Sequence, residues 1–444
     1  MSRHVAVVGG GLSGLAAGVE LVSRGIRVTL LEQKPALGGR AYSFRDSVTG
    51  DTIDNGQHVL IAGYGRTMRF LETIGTREFV RVQHTPSLMF HHPQRGFCEF
   101  RLPLLPTPFN LLIGILGCAL FSFRDRMSLL HAGLSLRALR KMDKQRLAGQ
   151  TVEEWLKSVG QSAECIRSFW EPIAVSIMNE RIEKASAFVF VEAMRTAFLG
   201  GSRSAALAIP SVGLSQLYVE GARKFVTLRG GEIRCNADVV EVVLENEIAA
   251  GVRLRDSTFV AADAVVLTVP ANKLVPILSA QLKKQLSQVI AIDVAPIVSI
   301  HLWFKQEFMP HESVGLIGRR IQWLFNRRLI NGEEGEGSHV SAVISGGHEF
   351  IGKTKDDLVK IAVDDIRSLY PVLCEEPCHA VVIREKSATY SSSPLTEPLR
   401  PRAKTEIPNL FLAGDWTATG YPATIEGAVL SAELATKSVL EYLK

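Results

Sequence analysis

The segment HVAVVGGGLSGLAAGVELVSRGIRVTLLEQ, residues 4–33, limits the fold more than any other part of the chain. HVAVV is a short, apolar, β-branched run. LAAGVELVSRG has helical spacing and closes at Gly25, and IRVTLLE reads as a second strand ending on Glu32. Between the first strand and the helix, Gly9, Gly11 and Gly14 stand at G-x-G-x-x-G spacing. Alone that spacing is weak. Here it follows a strand, opens a helix and has an acid about 20 residues on, which together make the dinucleotide-binding fingerprint. Gly9 permits the tight turn, Gly11 lets the backbone approach a pyrophosphate, and Gly14 lets helix and strand close together. The first helical turn, with Leu12 and Ser13, offers unpaired N–H groups and a positive dipole end to phosphates. Glu32, with Gln33 beside it, can accept hydrogen bonds from ribose hydroxyls, and its charge disfavours a 2′-phosphate.

A chain of 444 residues can bury a large core and is long enough for two domains. With 46 % hydrophobic and 21 % charged residues it reads as globular, and a net charge of +5 gives no argument for nucleic acid. The six cysteines, Cys98, Cys118, Cys165, Cys235, Cys374 and Cys378, are scattered. They read as reduced structural residues, and no metal site is expected. The N-terminus runs straight into a strand without the apolar segment of a signal peptide, so a cytosolic protein is expected. No stretch reaches the ~18–20 continuous apolar residues of a spanning helix.

After Glu32 comes QKPALGGRAYSF, with Gly38, Gly39 and Arg40. A nicotinamide dehydrogenase has no need of a second glycine pair and an arginine here. The segment resembles the GG-R extension of the glutathione-reductase/amine-oxidase flavoproteins, which implies FAD, an arginine at the pyrophosphate and glycines where the chain passes the flavin. The far end agrees. IPNLFLAGDWTATGYPATIEGAVLSAELAT, residues 407–436, reads as a strand, a loop and a small-residue helix. Gly414 and Asp415 end the strand, where a carboxylate can bond ribityl or pyrophosphate-side hydroxyls. The helix begins near 423–427, so Thr424, Ile425 and Gly427 can aim N–H groups at the flavin N1/C2 edge. Between the ends, residues 230–270 read as short strands around turns. In this class such a segment completes the FAD domain, with Val239 or Val240 on the adenine side. The cofactor domain is thus expected to be discontinuous, built from 1–75, 205–285 and 400–444, with a substrate domain from 76–204 and 286–399.

In the substrate domain, RLPLLPTPFNLLIGILGCALFSF (101–123) is oily but broken by prolines and glycines, and Arg124, Arg126, Arg137, Arg140, Lys141, Lys144 and Arg146 follow it. An apolar face with a basic flank suits peripheral contact with an anionic membrane surface. PIVSIHLWFKQEF (296–308) reads as a strand in which His301 is a satisfied strand histidine. FWEPIAVSIMNERIEKASAFVFVEAMRTAF (169–198) reads as an amphipathic helix. No Ser-His-Asp order, metal spacing, phosphate loop of another class, repeat or low-complexity tract competes with the flavin reading.

LGGRAYSF, IDNGQHVL, FWEPIAVSIMNE, HLWF, REKSATY and LAGDWTATGYPATIEGAVLSA occur in that order over nearly the whole chain. On these motifs the sequence resembles the hydroxysqualene dehydroxylase family of bacterial hopanoid pathways, within the phytoene desaturase/amine oxidase flavoprotein superfamily. The resemblance implies an α/β fold. A discontinuous Rossmann-type FAD-binding domain would join an α+β substrate domain. It implies FAD-dependent reductive removal of the hydroxyl of hydroxysqualene to give squalene, with reducing equivalents from a reductase or another reduced-flavin or NAD(P)H source. With the oily, basic-flanked stretch at 101–146, a cytoplasmic location at the inner face of the cell membrane is expected. The resemblance also places the polar run Asp54-Asn55-Gly56-Gln57-His58 beside the flavin, with Asn55, Gly56 and Gln57 at the cofactor. Loss of an allylic hydroxyl needs a proton donor in an oily, water-excluding site. Asp54 and His58 are the first candidates, Glu426 is a third, and Tyr421 can line the flavin face. Two rivals stand beside this reading: an oxidative carotenoid-type desaturase, and a flavin-free isoprenoid carrier.

Overall fold

The computed structural model describes residues 3–138, 143–332 and 336–444. The fingerprint strand His4–Val8 is buried along its whole length, because parallel neighbours flank it and both faces of the sheet are covered. Five parallel strands form this sheet, in the order Glu232–Arg234, Arg27–Leu31, His4–Val8, Ala264–Leu267, Leu410–Leu412. Widely separated stretches of chain therefore share one sheet. The helices Leu12–Ser23 and Ile425–Tyr442, from opposite ends of the chain, pack against each other over it. A three-stranded antiparallel sheet, Val239–Glu245, Ile248–Leu254 and Phe259–Ala261, lies on the other side.

The second layer system is a seven-stranded, mostly antiparallel sheet. Its order is His379–Tyr390, Val294–Phe304, Ser338–Ser345, Trp323–Asn326, Ser313–Leu316, Ser87–His92, Gly96–Arg101. The helix Lys355–Leu369 buries its apolar stripe on one face, against Val298, Ile300 and Leu302. The last two strands of that order, Ser87–His92 and Gly96–Arg101, join a helical cluster drawn from residues 109–199. His301 sits in the Val294–Phe304 strand, as expected, with its Nδ1 3.2 Å from Nε2 of His339.

The stretch 169–198 is not one helix. The helix Glu171–Met178 stops at Asn179, whose backbone is left-handed at φ 48°, and a second helix runs from Ala187 to Leu199. The Asn179 side chain explains the stop. Its Nδ2 donates to Ala295 O and Thr389 Oγ1, and its Oδ1 accepts from Gly346 N, so the turn is locked to the large sheet. The run 101–123 also divides, into a strand end, a proline-rich turn and the helix Phe109–Gly117. The helix Phe123–Ala138 follows. Arg140 and Lys141 lie outside the described residues, and no described helix is long and apolar enough to cross a membrane.

Candidate active site

A cavity of about 1160 Å³ runs from the fingerprint loop to the underside of the large sheet. That exceeds the ~300–1,000 Å³ of an ordinary small-molecule cleft. At one end lie Gly9, Gly11, Leu12, Ser13, Glu32, Gln33, Gly38, Gly39 and Arg40, joined by Val239, Val240, Gly414, Asp415, Thr424 and Ile425. The glycines are sterically required. A Cβ on Gly9 would stand 2.7 Å from Thr268 Oγ1, and one on Gly39 2.9 Å from Gly11 Cα. A Cβ on Gly11 would meet only Gly39 Cα, at 3.8 Å, and would otherwise occupy the cavity. Gly14 does not line the cavity; it acts by packing, since its Cβ would fall 1.9 Å from Gly9 O. Gly38 N donates to Gly10 O at 2.9 Å, which lays the second glycine pair against the first.

The helix Leu12–Ser23 has Gly11 as its N-cap and no side-chain cap, so its first amides face the cavity without a protein partner for the cap. Glu32 accepts from Gly10 N and Lys34 N at 2.7 and 2.9 Å, which fixes its carboxylate at the cradle rim. Arg40 Nη2 donates to Asp415 Oδ1 at 2.5 Å across 375 residues of chain, and Nη1 donates to Ala388 O. Paired glycine loops, two helix N-termini and an arginine–carboxylate pair are a donor set suited to a dinucleotide pyrophosphate. FAD fits this end of the cavity. Gly427 is the exception among the residues expected at the cofactor. Its N–H donates to the Thr424 side chain as the helix cap, and it does not line the cavity.

The polar run is neither a surface turn nor a row of acids. Thr52–Asp54 is a strand paired with Ser43–Arg45, and Asn55 fastens the GG-R loop by donating from Nδ2 to Arg40 O and accepting from Tyr42 N. Asn55, Gly56, Gln57 and His58 line the cavity, but Asp54 does not. Asp54 is buried. Its Oδ1 accepts from Ser43 Oγ and Leu214 N, and its Oδ2 from Arg327 Nη2 at 3.2 Å. With both oxygens occupied and a guanidinium beside it, it is a structural anion and not an acid facing substrate. Glu426 is corrected on the same ground. It accepts from Arg66 N, Thr67 N and Thr67 Oγ1 at the start of the Gly65–Ile74 helix, and it lies off the cavity. His58 does face the cavity, but as an acceptor. Its Nδ1 is 2.9 Å from Gly56 O, and a carbonyl can only accept, so Nδ1 carries the proton and Nε2 the lone pair. Burial holds the imidazole below its ordinary pKa, against the pull of Asp54 and the Gly56 carbonyl.

Beyond this patch the lining turns apolar, with Leu88, Phe100, Leu102, Ile177, Met194, Phe198 and Phe325. Tyr421 lines the junction, and its hydroxyl is 2.8 Å from Thr196 Oγ1. Two arginines that sequence reasoning missed hold these parts in place. Arg400 is buried and donates to Asp415 O, Thr417 O, Thr419 Oγ1, Tyr421 O and Glu397, clasping the whole 415–421 loop. Arg327 donates to Asp54 and Gln57. Neither stands in a motif, and the only sequence hint is an arginine among apolar neighbours.

The chain belongs to the flavin containing amine oxidoreductase family, whose model matches residues 12–440. Among curated relatives, proteins named hydroxysqualene dehydroxylase from Sinorhizobium fredii and Rhodopseudomonas palustris are 27 % and 28 % identical, with 99 % of each chain covered. A 15-cis-phytoene desaturase from Synechococcus elongatus is 24 % identical over 98 % of this chain and 96 % of its own. Among solved structures, an oxidoreductase from Methanosarcina mazei superposes with a TM-score of 0.75 at 19 % identity, covering 99 % of this chain and all of the other. The fold is the expected one, and the chain is an FAD-dependent oxidoreductase and not a flavin-free carrier.

Proposed function

We propose that this flavoenzyme acts on isoprenoids and reductively removes the hydroxyl of hydroxysqualene to give squalene. The observation that carries the reading is the cavity. It passes from a dinucleotide cradle, past a polar patch at Gln57 and His58, into an arm walled largely by apolar side chains such as Leu88, Phe100, Leu102, Met194 and Phe198. A long hydrocarbon bearing a single hydroxyl matches that sequence of walls. The names of the S. fredii and R. palustris relatives support it. Reduced FAD, when bound, supplies a hydride. Carbon exchanges its bond to oxygen for one to hydrogen, and the oxygen leaves with its electron pair and a solvent proton as water. The chain's residues bind and orient. The apolar arm excludes water and holds the hydrocarbon, and the polar patch engages the oxygen.

The cofactor domain is proposed to comprise 1–75, 205–285 and 400–444. The site is proposed to work at the inner face of the cell membrane, fed by a separate reductase or reduced-nucleotide source. Phe109 is 60 % exposed, Ile113 49 %, Phe123 74 % and Leu134 65 %, with exposed Arg101, Arg124 and Arg137 on the same segments. That combination supports seating on an anionic bilayer. Phe100 and Leu102, just before this region, line the cavity, which supports a route for an oily substrate out of the lipid.

The test is anaerobic incubation of the flavin-loaded protein with hydroxysqualene and chemically reduced FAD, read by gas chromatography–mass spectrometry. Squalene is expected. With a deuterated reductant and solvent-exchange controls, it carries one deuterium. No squalene from yellow, folded enzyme, together with dehydrogenation of a polyene by oxidised enzyme, would replace this reading with the oxidative desaturase suggested by the S. elongatus relative's name.

A further inference from the structure

We propose that Gln57 is the residue that recognises the substrate's hydroxyl oxygen, and that Arg327 is the positioning residue that turns its amide into a donor. The inference rests on the hydroxylated-isoprenoid reading above. Arg327 follows the strand Trp323–Asn326, its side chain only 2 % exposed. It donates through Nη1 to Gln57 Oε1 at 2.6 Å and through Nη2 to Asp54 Oδ2 at 3.2 Å. A guanidinium has five N–H donors and no acceptor, so the atom of Gln57 that it holds is the oxygen. The Nε2 amine is thereby the free end. Gln57 lines the cavity, and none of the described residues accepts a hydrogen bond from that amine.

The polarity is fixed one step further back. Asp54 is clamped by Ser43 Oγ at 2.7 Å and Leu214 N at 3.0 Å, so it presents a fixed acceptor to Arg327. Beside Gln57, His58 keeps its proton on Nδ1 toward Gly56 O and turns a lone pair outward. The patch therefore offers one donor and one acceptor side by side next to the apolar arm. That is the complement of an alcohol, whose oxygen accepts and whose O–H donates. The hydrocarbon product has neither group and leaves both side chains unpaired, which favours its release.

The test compares the binding of hydroxysqualene and squalene to the oxidised, FAD-loaded protein in detergent, without reductant, by flavin and tryptophan fluorescence. Wild-type protein is expected to prefer the alcohol by roughly three- to tenfold, the range of a net neutral hydrogen bond. Gln57→Leu should lose most of that preference, keeping only what the His58 lone pair gives the O–H, and should bind squalene as wild type does. Arg327→Lys cannot fork to both partners; it should weaken binding of the alcohol, and in turnover with reduced FAD raise its KM more than it lowers kcat, while squalene binding and flavin content stay unchanged, whereas a general structural defect would weaken both ligands. If Gln57→Leu keeps the wild-type preference, the inference is overturned. If wild type converts hydroxysqualene but binds both compounds equally, the inference falls alone. If wild type neither prefers nor converts the alcohol, the functional reading falls with it.

Discussion

Replacing Arg327 by methionine removes a buried cation and leaves Asp54 facing an apolar group of similar length. The two side chains are 2 % and 4 % exposed and 3.2 Å apart. At an effective dielectric of about 20, a pair at this distance attracts by roughly 5 kcal/mol, and desolvation offsets part of that. Broken buried pairs typically cost ~3–5 kcal/mol. Asp54 keeps its bonds from Ser43 Oγ and Leu214 N, so the loss belongs at about 3 kcal/mol. Asp54→Asn should cost a similar amount, because its amide N–H would then face the guanidinium donors. Combining the two replaces a charge pair by neutral groups. The double variant should be no worse than either single one, a coupling of about 3 kcal/mol where independent sites add to within ~0.5 kcal/mol. The assay is urea denaturation followed by tryptophan fluorescence at fixed, saturating FAD, since ligand binding itself shifts stability. Additive costs, or an Arg327→Met loss below about 1 kcal/mol, would refute the claim that this pair is a desolvated clamp under the polar patch.

Three further outcomes follow from the geometry. Gly14→Ala should abolish flavin absorbance in the purified protein, because its Cβ would strike Gly9 O at 1.9 Å and a backbone oxygen cannot yield; Gly352→Ala, with open space around it and no left-handed backbone, should stay yellow. Burial and the nearby Arg327 push His301 down to about 3 and His339 well below 6.5, His301 adding to the latter. The unfolded chain therefore binds more protons below 6.5. The stability these groups contribute is fully present above pH 6.5 and is lost as pH falls from there toward about 3, each adding a slope of up to ~1.4 kcal/mol per unit. His339→Gln should flatten the urea-midpoint profile between pH 6.5 and 5, and an unchanged slope would contradict a neutral buried pair. Phe109→Ser with Phe123→Ser should strongly reduce co-flotation with anionic vesicles, since each exposed phenyl stands to contribute roughly 1.5–3 kcal/mol on insertion; undiminished flotation would remove the proposed membrane face.

The cradle was legible in the sequence because its physics is local. A turn that must admit a pyrophosphate needs glycines at fixed spacing, and the strand and helix that flank it write their own periodicity beside it. The second glycine pair, the Asp415 loop and the small-residue helix at 425 could be read for the same reason. The polar patch could not. Asp54, His58 and Glu426 all look like acids in a one-dimensional string, yet one is a clamped anion, one presents a lone pair, and one is tied to the start of a distant helix. What separates them is partners far along the chain. Arg327 lies 270 residues from Gln57 and 273 from Asp54. Arg327 and Arg328 are neighbours in FNRRLI, but the first side chain is 2 % exposed and the second 22 %. Both begin the short helix Arg327–Asn331, and the seating of that helix turn by the strand Trp323–Asn326 before it decides which arginine turns inward and which carboxylate it meets. The sequence by itself determined that a dinucleotide is bound and where. Only the folded sheets decided which atoms of the polar run face the cavity, because hydrogen-bond polarity depends on who stands opposite.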